Sequence, residues 1–391
     1  MDQRAKRLQP FATTIFSEMT ALANHYEAVN LAQGFPDFDG PTQGKQAAIG
    51  AIQSNHNQYT PLHGLPDLRR AIAKWNTDLN NLTYDPDSEI TVTNGCTEAI
   101  TAALLGLVNP EDEVILFEPY YDSYRAACAF AGAHTKFVTI EPTDEGFTFT
   151  KEALERVFTP RTRAIIINTP HNPTGMVMTP EQLGWIADQC VQHDVIAIAD
   201  EVYEQLTYDN TPHTSIATLP HMRERTLVLS SMGKTFSLTG WKVGWALGPA
   251  PLTGALRSAH QFITFCVPGP LQLGCATMLN DCRADVEDLR THFQTMRDKL
   301  GSALNELGFH IRAPKGSYFI MADHTEVSKR LGLNTDIELC RWLPEHAAVA
   351  AIPPSVFYNT PDLGHNFIRF SFAKTEPTID RAIHRLRLAL S

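Results

Sequence analysis

A chain of 391 residues, 43% hydrophobic and 19% charged, can bury a large core and has the length of two or three domains. Its formal net charge of -11 argues against non-specific nucleic-acid binding, which needs a basic surface, while leaving room for one local basic pocket. Seven scattered cysteines without a CxxC pair, an opening MDQRAKRLQPFATTIF without an apolar signal core, and no uncharged run of spanning length argue against a disulfide framework, secretion and a membrane anchor, so a cytoplasmic protein is expected.

Five apolar or β-branched runs read as strands: EITVTN (89–94), EVILFEP (113–119), AIIIN (164–168), VIAIAD (195–200) and TLVLSS (226–231). Their near-continuous apolar character predicts burial on both faces, as in a mostly parallel sheet with helices on both sides. Helices are predicted between them, among them Thr97–Val108 and Pro180–His193, the latter opened by Thr-Pro-Glu. A long amphipathic segment (283–307), short strands around Ser317–Ala322 and Phe367–Ala373, and a last helix, Thr378–Leu390, predict a smaller α+β domain. The expected division is an N-terminal arm (1–44) packed on that domain, a large domain (45–285) and a small C-terminal domain (286–391).

Ligands of open α/β sheets bind beyond the carboxyl ends of the strands, so the residues after each strand are the candidates. After the first comes Gly95-Cys96-Thr97, either a phosphate cradle at a helix start or a plain strand–helix turn. After the second come Tyr120 and Tyr121, placed to stack on a flat ring or to pack the core. The third ends in Asn168 and leads to Asn172-Pro173-Thr174-Gly175. The fourth ends in Asp200, with Tyr203 three residues on; a carboxylate at the tip of a buried strand calls for a cation partner. The fifth leads to Ser231-Met232-Gly233-Lys234-Thr235 and then Lys242. A P-loop would need glycine at position 228, where valine stands; no GxGxxG follows the first strand, and the 15 histidines include no HExxH.

Asn172-Pro173-Thr174-Gly175, Asp200-x-x-Tyr203, Ser231-x-x-Lys234 and the late Arg369, in this order, resemble the class I aminotransferases of pyridoxal-phosphate fold type I. The likeness runs from Asn30 to Phe370. Gly34-Phe35-Pro36-Asp37-Phe38, Glu118-Pro119-Tyr120-Tyr121-Asp122-Ser123-Tyr124 and Gly233-Lys234-Thr235-Phe236 with Thr239-Gly240-Trp241-Lys242-Val243-Gly244 look most like methionine aminotransferases and the kynurenine aminotransferase/glutamine transaminase K branch.

The resemblance implies pyridoxal 5′-phosphate carried on Lys234, which would also shuttle the substrate's Cα proton. Asp200 would pair with the ring nitrogen, Tyr203 and Asn172 would bond the ring hydroxyl, Asn168 would orient Asp200 or the ring, and Tyr121 would stack on the ring. Gly95, Cys96, Thr97, Ser231 and Lys242 would hold the phosphate, with Tyr59 reaching it from the second subunit of a homodimer whose active sites are shared. Arg369 would fork the substrate carboxylate, assisted by Gly34 and Asn172. Phe16, Tyr121 and the other subunit's Phe265 would line an apolar pocket for methionine, aromatic or other large neutral amino acids, with a 2-oxo acid as acceptor. Cys266 stands where some kynurenine-active relatives carry histidine. The alternatives are a C–S β-lyase on cysteine conjugates or cystathionine, and a ligand-sensing module on the same fold, which is expected to carry a separate DNA-binding domain for which little room is left ahead of the likeness.

Overall fold

The computed structural model describes residues 3–11 and 15–390. A seven-stranded sheet forms its centre: β1 (Ile90–Thr93), β2 (Glu113–Glu118), β3 (His134–Thr139), β4 (Thr162–Asn168), β5 (Ile196–Asp200), β6 (Thr226–Ser231) and β7 (Gly244–Leu247). Their spatial order is β1-β7-β6-β5-β4-β2-β3. β7 runs antiparallel to both neighbours; the five strands from β6 across to β3 are parallel to one another.

The apolar runs become strands because both faces of the sheet are covered. In β2, Val114 and Leu116 join one core cluster with the helix Cys96–Leu107, while Ile115 and Phe117 join the opposite cluster with the helix Pro180–His193. In β4, Ile166 faces the first cluster and Ile165 and Ile167 the second. This two-residue alternation between two dry layers is what a run such as AIIIN encodes. The helix Pro180–His193 starts where its sequence requires. Thr179 Oγ1 accepts from the Gln182 N–H at 3.2 Å, and Gln182 Oε1 accepts from the Thr179 N–H at 2.9 Å, a reciprocal cap.

The C-terminal part packs the helices Arg283–Glu306 and Glu376–Leu390 against a three-stranded antiparallel sheet whose middle strand is Phe319–Asp323, flanked by His310–Ile311 and Phe367–Ser371. The strand expected from Ser317 begins two residues later, because Ser317 sits at φ 59°, outside the extended region. The N-terminal arm joins this core: Val29–Asn30 pairs in parallel with Val349–Ala350, and Met19, Ala23 and Leu31 lie in the same cluster as Leu300 and Phe370. Residues 1, 2 and 12–14 of the expected arm lie outside the described residues. The expected divisions at 44/45 and 285/286 each fall in the first turn of a helix, Thr42–Gln53 and Arg283–Glu306. Among the described residues no helix is long and apolar enough to cross a membrane.

Candidate active site

The carboxyl ends of β1, β2, β4, β5 and β6 converge on a cavity of about 320 Å³. Its wall includes Phe16, Gly34, Gly95, Cys96, Thr97, Tyr121, Asn168, Asn172, Asp200, Tyr203, Ser231, Lys234, Lys242 and Arg369. Residues up to 353 positions apart in the chain, from Phe16 to Arg369, thus meet at one place. Tyr59 and Phe265 do not line it. They lie edge to face on the surface, ring centroids 5.6 Å apart, with Tyr59 86% exposed.

Asp200 ends β5 and is almost fully buried. Its Oδ2 accepts from the Tyr124 hydroxyl at 2.6 Å, and its Oδ1 from Cys96 Sγ at 3.5 Å and the Val202 N–H at 3.4 Å. Burial pushes the carboxyl's pKa up, against these donors and the charge of Lys234. Among the described residues Asp200 forms no ion pair: its side-chain contacts are a phenol, a thiol and one backbone N–H, which leaves the cation partner that its buried position calls for to a group from outside the chain. The sequence gives Tyr124 no role of its own, although its place three residues after Tyr121 puts both on one face at the start of the helix Asp122–Ala131, where their rings meet edge to face at 5.6 Å.

Asn168 and Asn172 form a bridge. Asn168 Nδ2 donates to the Asp200 carbonyl at 2.9 Å, and Asn168 Oδ1 accepts from the Asn172 N–H at 2.7 Å. Asn172 Oδ1 in turn accepts from Arg369 Nη1 at 2.9 Å, and Arg369 Nη2 donates to the Ala32 carbonyl at 3.2 Å. Arg369, paired with Met321 across the small sheet, is 1% exposed; Phe319 lies under its guanidinium at 4.0 Å. Burial lowers its pKa to about 10, which leaves it cationic at neutral pH. Its Nε has no hydrogen-bond partner, and among the described residues it forms no ion pair.

At the other end of the cavity Gly95 caps the helix Cys96–Leu107 at φ 78°. A Cβ there would stand 3.2 Å from Lys242 Nζ, filling the space between the helix start and that ammonium. Lys234, on the short helix Met232–Thr235 that follows β6, donates from Nζ to the Tyr318 hydroxyl at 2.6 Å. Tyr318 also donates to the Gly34 carbonyl. Nothing in the sequence pointed to Tyr318, whose partners come from elements distant in the chain.

These features fit pyridoxal phosphate. A buried carboxylate without a protein cation suits a protonated ring nitrogen, a glycine-opened helix start beside a lysine suits a phosphate, and a reachable primary amine suits an aldehyde.

Residues 26–386 match the family of class I and II aminotransferases. The solved N-succinyldiaminopimelate aminotransferase from Mycobacterium tuberculosis superposes with a TM-score of 0.95 at 46% identity, covering 99% of this chain and 100% of that one. The methionine aminotransferase of Escherichia coli K12 is 41% identical over 384 residues, 97% of each chain. Human kynurenine–oxoglutarate transaminase 1 is 35% identical over 411 aligned residues, 98% of this chain and 97% of that one. The chain therefore belongs to the class I and II aminotransferases, a family that works with pyridoxal phosphate on amino acids and 2-oxo acids.

Proposed function

We propose that this enzyme moves the amino group of methionine, aromatic or other large neutral amino acids to a 2-oxo acid. The observation that carries the reading is Arg369, a buried, cationic guanidinium with a free Nε and no ion partner among the described residues. A charge left unpaired in the interior costs several kcal/mol, on the order of 3–5, so its surroundings suit an anion from outside the chain. A planar α-carboxylate matches the fork, and Asn172 and the Ala32 carbonyl already fix the plane.

Pyridoxal phosphate, when bound, supplies the electron sink that makes the Cα hydrogen acidic. The chain's own groups do the rest. Asp200 would hold the proton on the ring nitrogen, with Tyr124 and Cys96 keeping its carboxylate in place. Tyr203 and Asn172 would bind the ring hydroxyl, and Tyr121 would cover one ring face. The N–H groups at Gly95, Cys96 and Thr97, with Ser231 and Lys242, would hold the phosphate. Lys234 would carry the cofactor and, once released by the substrate amine, take the proton from Cα. Gly34 would help seat the substrate carboxylate from its backbone. Tyr59 and Phe265, which do not line this chain's cavity, would complete the site of a second copy.

The preference for neutral side chains rests on the wall. Phe16, Phe35, Ile100 and Phe319 line it, and its only arginine among the described residues is Arg369; Lys234 and Lys242 serve the cofactor. A donor or acceptor bearing a remote carboxylate, of the N-succinyldiaminopimelate kind, is the second reading. The 46% identity to that enzyme and the polar Gln33 on the wall favour it.

One experiment separates these. Protein saturated with pyridoxal phosphate is reduced with borohydride and mapped by mass spectrometry. Unreduced enzyme is then offered methionine, phenylalanine, kynurenine, glutamate and N-succinyldiaminopimelate with several 2-oxo acids, the products being read by amino-acid analysis. An adduct on Lys234 and, with methionine as donor, new amino acid formed from the 2-oxo acid are expected. A higher kcat/KM with N-succinyldiaminopimelate would move the enzyme to the second reading, pyruvate and ammonia from cystathionine would mark the β-lyase, and an adduct on another lysine would overturn the site.

A further inference from the structure

Tyr318 lies behind the cavity wall at the start of the small-domain strand Phe319–Asp323, 1% exposed. Its oxygen joins three parts of the proposed site, Lys234, Gly34 and the Tyr203 hydroxyl. It accepts a hydrogen bond from Lys234 Nζ at 2.6 Å and donates its single hydrogen to the Gly34 carbonyl. Since that hydrogen is committed to Gly34, the phenol meets the lysine only as an acceptor.

The ring cannot swing away. Tyr203 meets it edge-on at 5.1 Å, Phe319 at 4.7 Å and Phe293 at 6.0 Å. Gly34 is shaped to this contact as well: a Cβ there would lie 2.7 Å from Tyr318 Cε2 and 2.5 Å from Phe319 Cζ, so only glycine brings its carbonyl to the phenol. The glycine expected to admit the substrate thus first admits these two rings.

A tetrahedral amine that gives one N–H to a fixed acceptor has its lone pair confined to the remaining directions. We infer that Tyr318 is a positioning residue for Lys234: it holds the unattached amine by one N–H, turns the lone pair toward the cavity, and ties that orientation to the Gly34 segment of the N-terminal arm. The inference rests on the reading of Lys234 as the group that takes the Cα proton. The proton passes from substrate Cα to the Lys234 nitrogen; Tyr318 neither gains nor loses one.

Tyr318→Phe keeps the ring and removes the acceptor. The expected result is unchanged thermal unfolding and amino-acid KM, with kcat lower by on the order of tenfold, the worth of one hydrogen bond. Exchange of the substrate's Cα hydrogen with deuterated water, measured without 2-oxo acid, should slow by the same factor. In the cofactor-free protein, labelling of Lys234 by an amine-reactive reagent, read by peptide mass spectrometry against the other lysines, should quicken several-fold because the N–H is no longer held. Wild-type kcat, exchange and labelling in Tyr318→Phe would overturn the inference. So would losses that appear only together with a lower melting temperature and are matched by Phe293→Leu, which loosens the ring packing but keeps the hydroxyl. Lys234→Ala separates the two readings: if it still exchanges the Cα hydrogen, the role of Lys234 falls whatever Tyr318 does.

Discussion

Arg369 is held as a flat plate. Phe319 lies 4.0 Å from its guanidinium carbon, with Phe357 at 5.3 Å and Phe16 at 5.5 Å, while Asn172 and Ala32 take one N–H each. Aromatic faces accept a delocalised planar cation far better than they accept water's loss around a compact ammonium. Arg369→Lys therefore keeps the charge but gives up the fork. Amino-acid KM should rise on the order of 100-fold, with the cofactor's absorbance spectrum intact. Steady-state kinetics with a spectral titration checks this, and an unchanged KM would assign the carboxylate elsewhere. Single residues differed in how far the sequence disclosed them. Asp200, Lys234 and Asn172 stand at strand ends, where topology puts function. Tyr124 and Tyr318 act on partners 76 and 84 positions away, and no local pattern records such a pairing.

The end of β5 carries chemistry on both sides. Asp200 faces the cavity; the next residue, Glu201, is fully buried and bonds His213 at 3.0 Å, and Glu204 accepts from Ser230 at 3.0 Å. Burial, reinforced by the neighbouring Glu201 carboxylate, raises the pKa of Glu204 to about 7. Burial disfavours the charged imidazole of His213, but Glu201 overrides it and the pKa moves up. A folded carboxyl that keeps its proton to about pH 7 where the unfolded one loses it near 4.5 makes the folded state bind more protons in that window. Stability must then fall as pH rises from 4.5 to 7, and His213, holding its proton longer when folded, slopes the same way. Glu204→Gln should flatten the dependence by up to about 3 kcal/mol between pH 5 and pH 8 in urea titrations. An unaltered slope would mean that Glu204 is ionised in the folded protein. Strand legibility follows burial here too. The five strands read from sequence are covered on both faces. β3 is an edge strand carrying His134, Thr135 and Lys136, and β7 has four residues inside a glycine- and tryptophan-rich motif, so neither offered a long apolar run.

At the scale of the whole molecule, apolar side chains that a lone chain would expose gather near the remaining predicted site residues. Phe262 is 86% exposed at the end of the helix Ala250–Ile263, Ile263 and, just past the helix, Phe265 follow within three residues, and Tyr59 lies against Phe265. Exposed aromatics of this kind mark association surfaces. Two copies would cover them and bring Tyr59 and Phe265 to each other's cavities, the one part of the expected site that a single chain does not assemble. Light scattering should give twice the 43.4 kDa chain mass, and Phe262→Glu should shift it toward one chain with loss of turnover. A wild-type mass of one chain, or a fully active single-chain Phe262→Glu, would remove the need for a partner.

The unpaired guanidinium also bears on how the enzyme should be handled in the laboratory. If that fork takes the substrate carboxylate as proposed, a small monocarboxylate would fit it without an amino group, so acetate or propionate buffers should raise the melting temperature and compete with the amino donor. At a hundred times its dissociation constant such an ion would stabilise the fold by about 2.7 kcal/mol. Affinities measured in acetate would then come out weaker than in a carboxylate-free buffer, and Arg369→Lys would narrow the gap between the two.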